Sequence, residues 1–404
     1  MEEKSPVYLV MVTTNNNNKY YRMIPHGDTF EAEYGRVGAS CQHASYSMSQ
    51  WNKKYNEKIK KGYVDHTHLV QDLIQKEKPK GKNGYKEIEN KVIAEIVQRL
   101  QDMAHQKIQA NYKVSSQQVT QAMVDEAQKV IDKLMQREEV EDFNNTLLEL
   151  FSVIPRKMGN VNDYLSRSKE DFARILKDEQ DLLDVMRGQV VTHTVQDEPD
   201  TDDVEEKQET IIEAMGLEFE EVTEDDVRMI KSLLGDCRDK FYRAWRVKNI
   251  KTQKRFDEFV NKEHISKTKL LWHGSRNENW WSIINTGLVL RPTNAVITGK
   301  MFGFGIYYAP KARKSLGYTS LSGSYWARGN SNSAFMALMD VAYGKPYDVH
   351  SFDSKYYDFN YERLQKTCPG ANCLHAHAGS MLRNDEIIVY KEDQCTIKYL
   401  VELR

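Results

Sequence analysis

The spacing of apolar residues changes twice along the chain, and this limits the possible folds more than any other feature of the sequence. Up to about Val70, runs such as "PVYLVMV" and "DTFEAEYGRVG" are typical of short strands. From residue 87 to 195, apolar residues recur every three or four positions, as in amphipathic helices. Beyond residue 200, strand-like and helical segments alternate with Gly- and Ser-rich loops. We therefore expect a multidomain chain: a small α+β domain at 1–75, a linker at 76–86, an all-α helical bundle at 87–195 and an α+β domain with antiparallel sheets at 200–404.

The helical region carries apolar stripes but no pattern that indicates chemistry. One stripe consists of Ile88, Val92, Ile96, Leu100 and Met103. A capping box from Ser115 to Gln118 predicts the start of a second helix. Pro155 and Gly188 predict the ends of the two helices that follow. Such stripes indicate the core of a bundle.

Charge is distributed unevenly, although the net charge is only −2. Residues 1–91 hold 15 Lys and Arg against 11 Asp and Glu, whereas residues 196–226 hold 15 acidic residues and the single Lys207. A basic N-terminal region suits a polyanionic partner. A helix predicted there carries Lys53, Lys54, Lys58, Lys60 and Lys61. These lysines fit either a solvated helix surface or a rim that faces phosphates.

The sequence lacks the marks of a secreted or membrane protein. Its five cysteines show no disulfide framework, which favours a reducing compartment. No run approaches about 18 apolar residues, and "MEEKSPVYLVMV" does not fit a secretory signal. We therefore expect no membrane association.

Polar and aromatic residues follow the strands predicted in the C-terminal region. The stretch "LLWHGSRNENWWSIINTGL" predicts a buried strand, a histidine in a Gly-Ser turn and an amphipathic helix ending at Gly287. His273 can donate to a sugar hydroxyl, and the Gly274 backbone can approach a planar amide because it has no side chain. Tyr307 and Tyr318 can stack on the two faces of an aromatic ring, and Glu386 can stabilise positive charge on a sugar. These groups fit nicotinamide joined to ribose in NAD⁺, although the same residue types are also common as packing residues.

A rival pattern fits a metal ion instead. The stretch "CPGANCLHAH" holds Cys368, Cys373, His375 and His377 within residues 368–377. Zinc sites usually combine CxxC with a second, distant pair, and this stretch also fits a strand whose alternate residues face opposite sides. We expect no metal in this protein.

Four segments, in this order, resemble the catalytic domain of the poly(ADP-ribose) polymerases. They are "LLWHGSR", "VITGKMFGFGIYYAP", "KS" with a tyrosine at 318, and "NDEIIVY", and the resemblance covers residues 200–404. The stretch "FNNTLLELFSVIP" is similar to a helix of the helical regulatory domain in the DNA-dependent members. "KYYRM", "YGRVG" and the helix ending in "KKGY" resemble a WGR domain. The resemblance implies a WGR-like DNA-binding domain at 1–75, a regulatory domain at 87–195 and an ADP-ribosyltransferase domain at 200–404.

The resemblance also implies catalytic roles. The family's His, Tyr and Glu fall on His273, Tyr307 and Glu386. In the family the histidine binds the adenosine-side ribose and the tyrosine stacks on nicotinamide. The glutamate holds the other ribose and aligns the attacking acceptor, as in members that elongate chains.

Further positions match binding residues of the family. The carboxamide clamp falls on the Gly274 backbone and the Ser315 hydroxyl. Tyr318 matches the second stacking aromatic, Ser275 a ribose contact, and Lys314 a basic residue near the acceptor.

Two positions depart from the family pattern. The tryptophan that names the WGR domain is Tyr34 here, which would weaken stacking on a DNA end, whereas Arg36 remains and can reach a phosphate. Pro310 stands where an acidic residue usually follows the tyrosine motif.

The resemblance thus implies a nuclear poly(ADP-ribose) polymerase of the DNA damage response that is activated by DNA strand breaks with 5′-phosphorylated ends. NAD⁺ would be the co-substrate, nicotinamide would leave, no metal would be needed, and the acceptors would be proteins, including the enzyme itself. Two alternatives stay open. One is a mono-ADP-ribosyltransferase on the same fold, and the other is a DNA-end-binding scaffold without enzymatic activity.

Overall fold

The computed structural model describes residues 4–70, 85–112, 119–196, 209–290, 301–379 and 382–404. Backbone packing divides the chain into two compact units, the first comprising 1–82 with 105–199 and the second comprising 83–104 with 200–404. Most of the predicted linker at 76–86 and the acidic stretch at 197–208 lie outside the described residues. The three predicted domain boundaries stay a prediction.

The first unit contains an antiparallel sheet in its described residues. Its strands are β1 (Val7–Thr13), β2 (Asn17–His26), β3 (Thr29–Arg36), β4 (Gln42–Ser47) and β5 (Val64–Asp65), in the order β4-β3-β2-β1-β5. Helix α1 (Trp51–Lys60) follows β4. Leu9, Tyr21 and Phe30 are buried with Trp51 in one cluster, because alternate strand residues face the helix. The strands predicted for this region are confirmed.

Two of the α1 lysines lie over aromatic rings of this sheet. The Lys54 ammonium lies 4.3 Å from the ring centre of Tyr46, and the Lys58 ammonium lies 4.1 Å from that of Tyr21. Both distances are in the range of a cation–π contact. These two side chains thus pack their stems on the sheet and keep their charged ends at the surface.

Helices follow the N-terminal sheet, as predicted. They are α2 (Lys91–Asn111), α3 (Gln121–Leu134), α4 (Val140–Val153) and α5 (Phe172–Gln196). The stripe predicted for α2 is wrong in part. Asn90 Oδ1 accepts hydrogen bonds from the N–H groups of Val92 and Ile93, so the helix begins at residue 91 and Ile88 precedes it. Ile93 and Ile96 are buried, whereas Val92 is exposed.

The predicted helix ends have mixed outcomes. Helix α4 ends at Val153, just before Pro155, as predicted. Gly188, however, does not end α5, which continues to Gln196. The Thr192 hydroxyl donates to the Gly188 carbonyl at 2.9 Å, and Val190 is buried. Packing of the last turns therefore outweighs the roughly 1 kcal/mol that an interior glycine costs.

The start of α3 follows a different cap from the one predicted. Thr120 caps the helix by accepting a hydrogen bond from the Met123 N–H at 3.1 Å. The predicted capping box at Ser115 and Gln118 lies outside the described residues.

The second unit is an α+β fold built on two sheets in its described residues. Its strands are β6 (Leu217–Glu221), β7 (Phe241–Asn249), β8 (Lys269–Gly274), β9 (Ile306–Tyr308), β10 (Ala334–Val341), β11 (Pro346–Val349), β12 (Cys373–Ala376), β13 (Glu386–Val389) and β14 (Cys395–Leu403). Besides residues 91–104 of α2, it contains the helices α6 (Ile211–Ala214), α7 (Glu224–Leu234), α8 (Ile250–Lys262), α9 (Trp280–Thr286), α10 (Ala312–Leu316) and α11 (Tyr361–Thr367). The strand orders are β6-β7-β14-β10-β8 and β11-β12-β13-β9. Every pairing is antiparallel except that of β11 with β12, which confirms the predicted antiparallel α+β region.

A backbone bridge joins the two sheets of this unit. Trp272 on β8 and Ala309 after β9 exchange two hydrogen bonds, each 3.0 Å long. The residue after Trp272 is His273, and β9 contains Tyr307, so the bridge brings two predicted site residues to the same junction. Across the described residues, no helix is both long enough and apolar enough to span a membrane.

Candidate active site

Strand register places Tyr307 and Glu386 on the same face of the smaller sheet. Ile388 on β13 lies opposite Tyr307 on β9. Because alternate residues of a strand point to the same side, Glu386 shares the face of Ile388 and Tyr307. Tyr307 and Glu386 therefore lie on one face of the smaller sheet.

His273 completes this group from the neighbouring sheet. Its Nδ1 lies 3.1 Å from the backbone carbonyl oxygen of Tyr307. Its ring meets the buried Trp280 ring edge-on, with the ring centres 6.4 Å apart. If the Nδ1–H donates to that carbonyl, Nε2 is left as an acceptor, and these contacts fix the ring plane. These contacts place His273 against the backbone of Tyr307, which shares a face with Glu386, and the catalytic roles of the three residues stay a prediction.

Lys314 lies against Glu386. The Lys314 ammonium contacts the Glu386 carboxylate, and the two side chains are 16% and 12% exposed. The ammonium offsets the charge of the carboxylate in this largely buried setting. Lys314 thus lies beside Glu386, and its predicted place near the acceptor stays a prediction.

The two predicted stacking tyrosines lie close enough to Glu386 for its charge to raise their pKa values. Burial, together with the Glu386 carboxylate, raises the pKa of Tyr318 to about 12. Burial and the same carboxylate also raise the pKa of Tyr307 far above its usual value. The Tyr307 hydroxyl donates to the Gly303 carbonyl at 3.1 Å and accepts from the Phe302 N–H at 3.2 Å. Both phenols therefore stay protonated near neutral pH and act as rings and dipoles rather than as bases.

Gly274 and Ser315 form a tight backbone junction beside His273. A Cβ atom on Gly274 would collide with the Ser315 backbone carbonyl, so this position requires glycine. The buried Ser315 hydroxyl donates to the Trp272 carbonyl at 3.0 Å. Its oxygen keeps lone pairs that can accept a hydrogen bond from an amide N–H. The two residues thus lie side by side, and their role as a carboxamide clamp stays a prediction.

Two other residues shape this region. The Ser275 hydroxyl accepts a hydrogen bond from Asn279 Nδ2 at 3.0 Å and leaves its own proton to donate. Trp326 stacks on Tyr318, with ring centres 6.2 Å apart and planes 17° apart, and is 60% exposed. Sequence reasoning missed Trp326, because an aromatic residue in a Ser- and Gly-rich loop carries no periodic signal.

The glycines before β9 serve backbone packing. Gly303 has a φ of +72°, and a Cβ atom there would collide with the Phe359 backbone. Gly305 packs closely on the Ile388 side chain. The "GFG" stretch leads into strand β9 and does not open a helix, which distinguishes it from a dinucleotide-binding loop.

Tyr34 and Arg36 belong to the first unit. The Tyr34 ring stacks on that of Tyr21, with the centres 5.6 Å apart. The Arg36 guanidinium donates to the carbonyl and side-chain oxygens of Asn16 at 2.8 and 2.9 Å, and to the carbonyls of Met158 and Gly159 at 3.2 and 2.8 Å. Arg36, which was predicted to reach a phosphate, thus donates to four acceptors of its own unit.

Comparison with known proteins agrees with this geometry. The family model of the poly(ADP-ribose) polymerase catalytic domain matches residues 218–404. The chain is 31% identical over 168 residues to the poly(ADP-ribose) polymerase-like protein 100L of Invertebrate iridescent virus 6, covering 41% of this chain and 87% of the viral protein. The chain belongs to the poly(ADP-ribose) polymerase family. It is accordingly an NAD⁺ ADP-ribosyltransferase by family.

Two other relatives extend this comparison. An uncharacterised protein of the same virus, 101L, is 35% identical over 186 residues, which are 45% of this chain and 76% of that protein. Poly(ADP-ribose) polymerase 2 of Zea mays is 28% identical over 224 residues, which are 52% of this chain. The match spans 32% of the maize protein's own length, so that polymerase has a large part with no counterpart in the alignment.

Proposed function

We propose that this family member is a nuclear poly(ADP-ribose) polymerase that DNA strand breaks activate and that modifies proteins, including itself. The observation that carries the catalytic part is the position of Glu386. It contacts Lys314 and shares a face with Tyr307, whose backbone carbonyl lies 3.1 Å from His273 Nδ1. Family members that elongate chains have this His, Tyr and Glu combination, whereas those that transfer one unit often lack the glutamate.

In this proposal the cleft binds NAD⁺ through groups already oriented by the fold. The Gly274 backbone and the Ser315 oxygen hold the carboxamide, and the Tyr307 and Tyr318 rings stack on nicotinamide. His273 and Ser275 hydrogen-bond ribose hydroxyls. The proposal is supported by the close packing of the Gly274 backbone on Ser315, which holds the two parts of the proposed clamp side by side.

The transfer step proposed here breaks the bond between the ribose C1′ and the nicotinamide nitrogen. The bonding electron pair goes to the pyridinium nitrogen, so nicotinamide leaves as a neutral molecule. The Glu386 carboxylate stabilises the positive charge on the ribose. An acceptor oxygen or other nucleophile then bonds to C1′ and loses its proton. Glu386 aligns that acceptor, which is a protein side chain first and a hydroxyl of ADP-ribose in later cycles.

Activation by DNA rests on the N-terminal region. That region has the basic excess noted above, and its sheet and helix carry the segments that resemble a WGR domain. Phosphate contacts by Lys and Arg release counterions and give salt-dependent binding to DNA. Activation additionally requires that DNA bind one of two states of the enzyme more tightly than the other.

The decisive experiment measures nicotinamide release from NAD⁺ by the full chain, with nicked 5′-phosphorylated DNA and with closed circular DNA as the matched control. Labelled NAD⁺ in the same reactions gives the length of the product on gels. We expect release that rises with nicked DNA, together with long polymer. Products of one unit would instead establish a mono-ADP-ribosyltransferase. Binding of DNA ends without nicotinamide release would establish a scaffold.

A further inference from the structure

The face of the smaller sheet that is opposite to Glu386 carries a cluster of histidines and aspartates. Asp348 on β11 lies opposite His375 on β12, and His375 lies opposite Ile387 on β13. Ala376 lies opposite Glu386. Because neighbouring residues of a strand point to opposite sides, Asp348 and His375 share one face and Glu386 occupies the other. We refer to Asp348, His375 and His377 as the histidine–aspartate cluster.

The ligand atoms of this cluster converge. One nitrogen from each histidine and one Asp348 oxygen all lie within 4.8 Å of one another. His377 Nε2 is 2.7 Å from Asp348 Oδ1, and His375 Nδ1 is 3.8 Å from the same oxygen. The two imidazole rings stack with centres 3.9 Å apart. Ligands of a tetrahedral zinc ion are about 3.4 Å apart, given bond lengths of about 2.0–2.2 Å, so small side-chain rotations would suffice.

A further carboxylate fixes the tautomer of His375. His375 Nε2 lies 2.9 Å from Asp385 Oδ2, and Asp385 Oδ1 accepts a hydrogen bond from the Ala378 N–H at 2.8 Å. A proton on Nε2 therefore donates to Asp385, which leaves Nδ1 as the acceptor nitrogen that an ion would use. Metal-binding histidines commonly donate their other N–H to a carboxylate in this way. Tyr343, whose hydroxyl lies 2.9 Å from Nδ1, would have to rotate when an ion binds.

We propose that Asp348, His375 and His377 bind one divalent transition-metal ion of the Zn²⁺ class, with Asp385 orienting His375. Two imidazoles and one carboxylate suit Zn²⁺ and similar ions, and three protein ligands leave a position for water. Asp348 is half exposed, which gives the ion a path from solvent. The carboxylates of Asp348 and Asp385 would offset the charge of the ion. The nearby cation Lys269, which lies over the Tyr343 ring, would repel it.

The site differs from the one that the sequence pattern alone offered. Among the described residues, the histidines of "CPGANCLHAH" converge with Asp348 and not with the two cysteines of that stretch. Cys373 is buried and its thiol lies 3.2 Å from the Tyr343 carbonyl. The proposal departs from the sequence-based expectation of no metal in this protein. It leaves unchanged the expectation that the transfer reaction needs no metal, because the cluster and Glu386 occupy opposite faces.

An ion at this site would link β11 to β12 through its ligands, and it would be linked to the start of β13 through Asp385. Asp385 directly precedes Glu386, so the ion would stabilise the strand that presents the glutamate. A ligand that binds the folded state at a concentration 100 times its Kd stabilises that state by about 2.7 kcal/mol. The expected sign is thus a higher unfolding temperature with metal.

The test uses the full chain, stripped with a chelator and dialysed, then titrated with Zn²⁺ and, in parallel, with Co²⁺. Bound metal is counted by atomic emission after gel filtration, and Co²⁺ ligand geometry is read from visible absorption. We expect one ion per chain, tetrahedral Co²⁺ absorption and a raised unfolding temperature. His375→Ala and His377→Gln should each abolish the stoichiometric binding, and Asp385→Asn should weaken it by about 10–100-fold.

Cys368→Ser and Cys373→Ser are the matched controls, because they change the other potential ligands of the same stretch. Both should keep the ion. Since His377 is partly exposed, His377→Gln tests the site even if the His375 variant does not fold. Absence of stoichiometric binding, binding that survives both histidine changes, or binding lost in the cysteine variants would each overturn the proposal. The hydrogen bonds of the cluster would then serve to join the strands.

Discussion

The two compact units differ in how their predicted ligand-binding side chains are engaged. In the second unit, side chains from separate strands converge on one junction, and Glu386 contacts the cation Lys314 on the face it shares with Tyr307. In the first unit, Arg36 already donates to Asn16 and to the carbonyls of residues 158 and 159. A motif match therefore predicts where a side chain lies, whereas its availability to a ligand depends on contacts that the motif does not record.

The largest effect is expected at Glu386. Glu386→Gln keeps the shape of the side chain but removes its charge, so NAD⁺ binding should persist while elongation falls by about 10²–10³-fold. Elongation is measured with labelled NAD⁺, and binding by calorimetry. The control is Glu362→Gln, which changes an exposed Lys–Glu pair of the same unit and should leave the rate unchanged within about twofold. Long polymer from Glu386→Gln would remove this carboxylate from the proposed mechanism.

The second prediction concerns the buried carboxylate of Glu402 in the second unit. It accepts hydrogen bonds from Arg99 at 3.0 and 2.9 Å and from Arg243 at 3.0 Å. Although burial raises the pKa of Glu402, these two guanidinium groups hold it below its usual range. Arg99→Ala should destabilise this unit by about 3 kcal/mol, because the buried Glu402 carboxylate would lose one of its two guanidinium partners.

Tryptophan fluorescence during urea unfolding measures this loss, since five of the six tryptophans (all but Trp51) lie in the second unit. Lys133→Ala, which removes an exposed ion pair in the first unit, is the control and should cost less than about 1 kcal/mol. Arg99 belongs to residues 83–104, so fragments that begin at residue 200 lack it. An unchanged unfolding midpoint for Arg99→Ala would show that Arg243 alone satisfies Glu402.

The sequence predicted the strands of the candidate site better than it predicted which strands pair with one another. Consecutive apolar residues followed by a Gly-Ser turn located β8, because a buried strand has such a run. That His273, Tyr307 and Glu386 belong together came from the family resemblance, since no local pattern encodes strand register. The metal cluster shows the same limit. Asp348 meets His375 only through the parallel pairing of β11 with β12, across an intervening helix.

The errors have similar physical causes. The stripe that began at Ile88 followed apolar spacing alone, whereas the Asn90 cap decides where α2 begins. Gly188 was interpreted as a stop because glycine is a poor helix former, yet the buried residues beyond it continue α5. In both cases a tertiary or capping contact outweighed a propensity of about 1 kcal/mol or less.

The third prediction tests whether Arg36 serves DNA or its own unit. Arg36→Ala should weaken binding to 5′-phosphorylated breaks by about tenfold and lower the slope of log affinity against log salt by about one. It should also lower the stability of the first unit, because three residues lose hydrogen bonds. Fluorescence anisotropy with labelled DNA at several salt concentrations measures the first effect.

Arg36→Lys separates the two roles. Lysine keeps the charge but cannot reproduce the several directed N–H groups of a guanidinium. It should retain most of the salt dependence while showing much of the stability loss. If Arg36→Ala reduces stability and leaves DNA affinity and its salt dependence intact, Arg36 is a structural residue and the phosphate contact lies elsewhere.

The smallest effect is expected at Asp226, which links α7, β7 and β14 of the second unit. Its carboxylate accepts hydrogen bonds from the Thr223 N–H at 2.8 Å, from Arg246 at 2.9 and 3.0 Å and from the Tyr399 hydroxyl at 2.8 Å. Although burial raises the pKa of Asp226, these donors lower it well below the usual value. A lowered pKa in the folded state means stability that is present above the unfolded value of about 3.9 and is lost as the pH falls through the folded value.

Asp226→Asn should therefore destabilise the second unit by about 1–2 kcal/mol at pH 7, and the difference from the natural chain should shrink below about pH 4. Urea unfolding followed by tryptophan fluorescence at pH 7, 5 and 3.5 gives this difference. Asp125→Asn in the first unit is the control, since its exposed contact with Arg187 contributes under about 1 kcal/mol. A difference that is constant across this pH range would mean that the Asp226 side chain acts through its shape and its cap, and that its charge contributes nothing to folding.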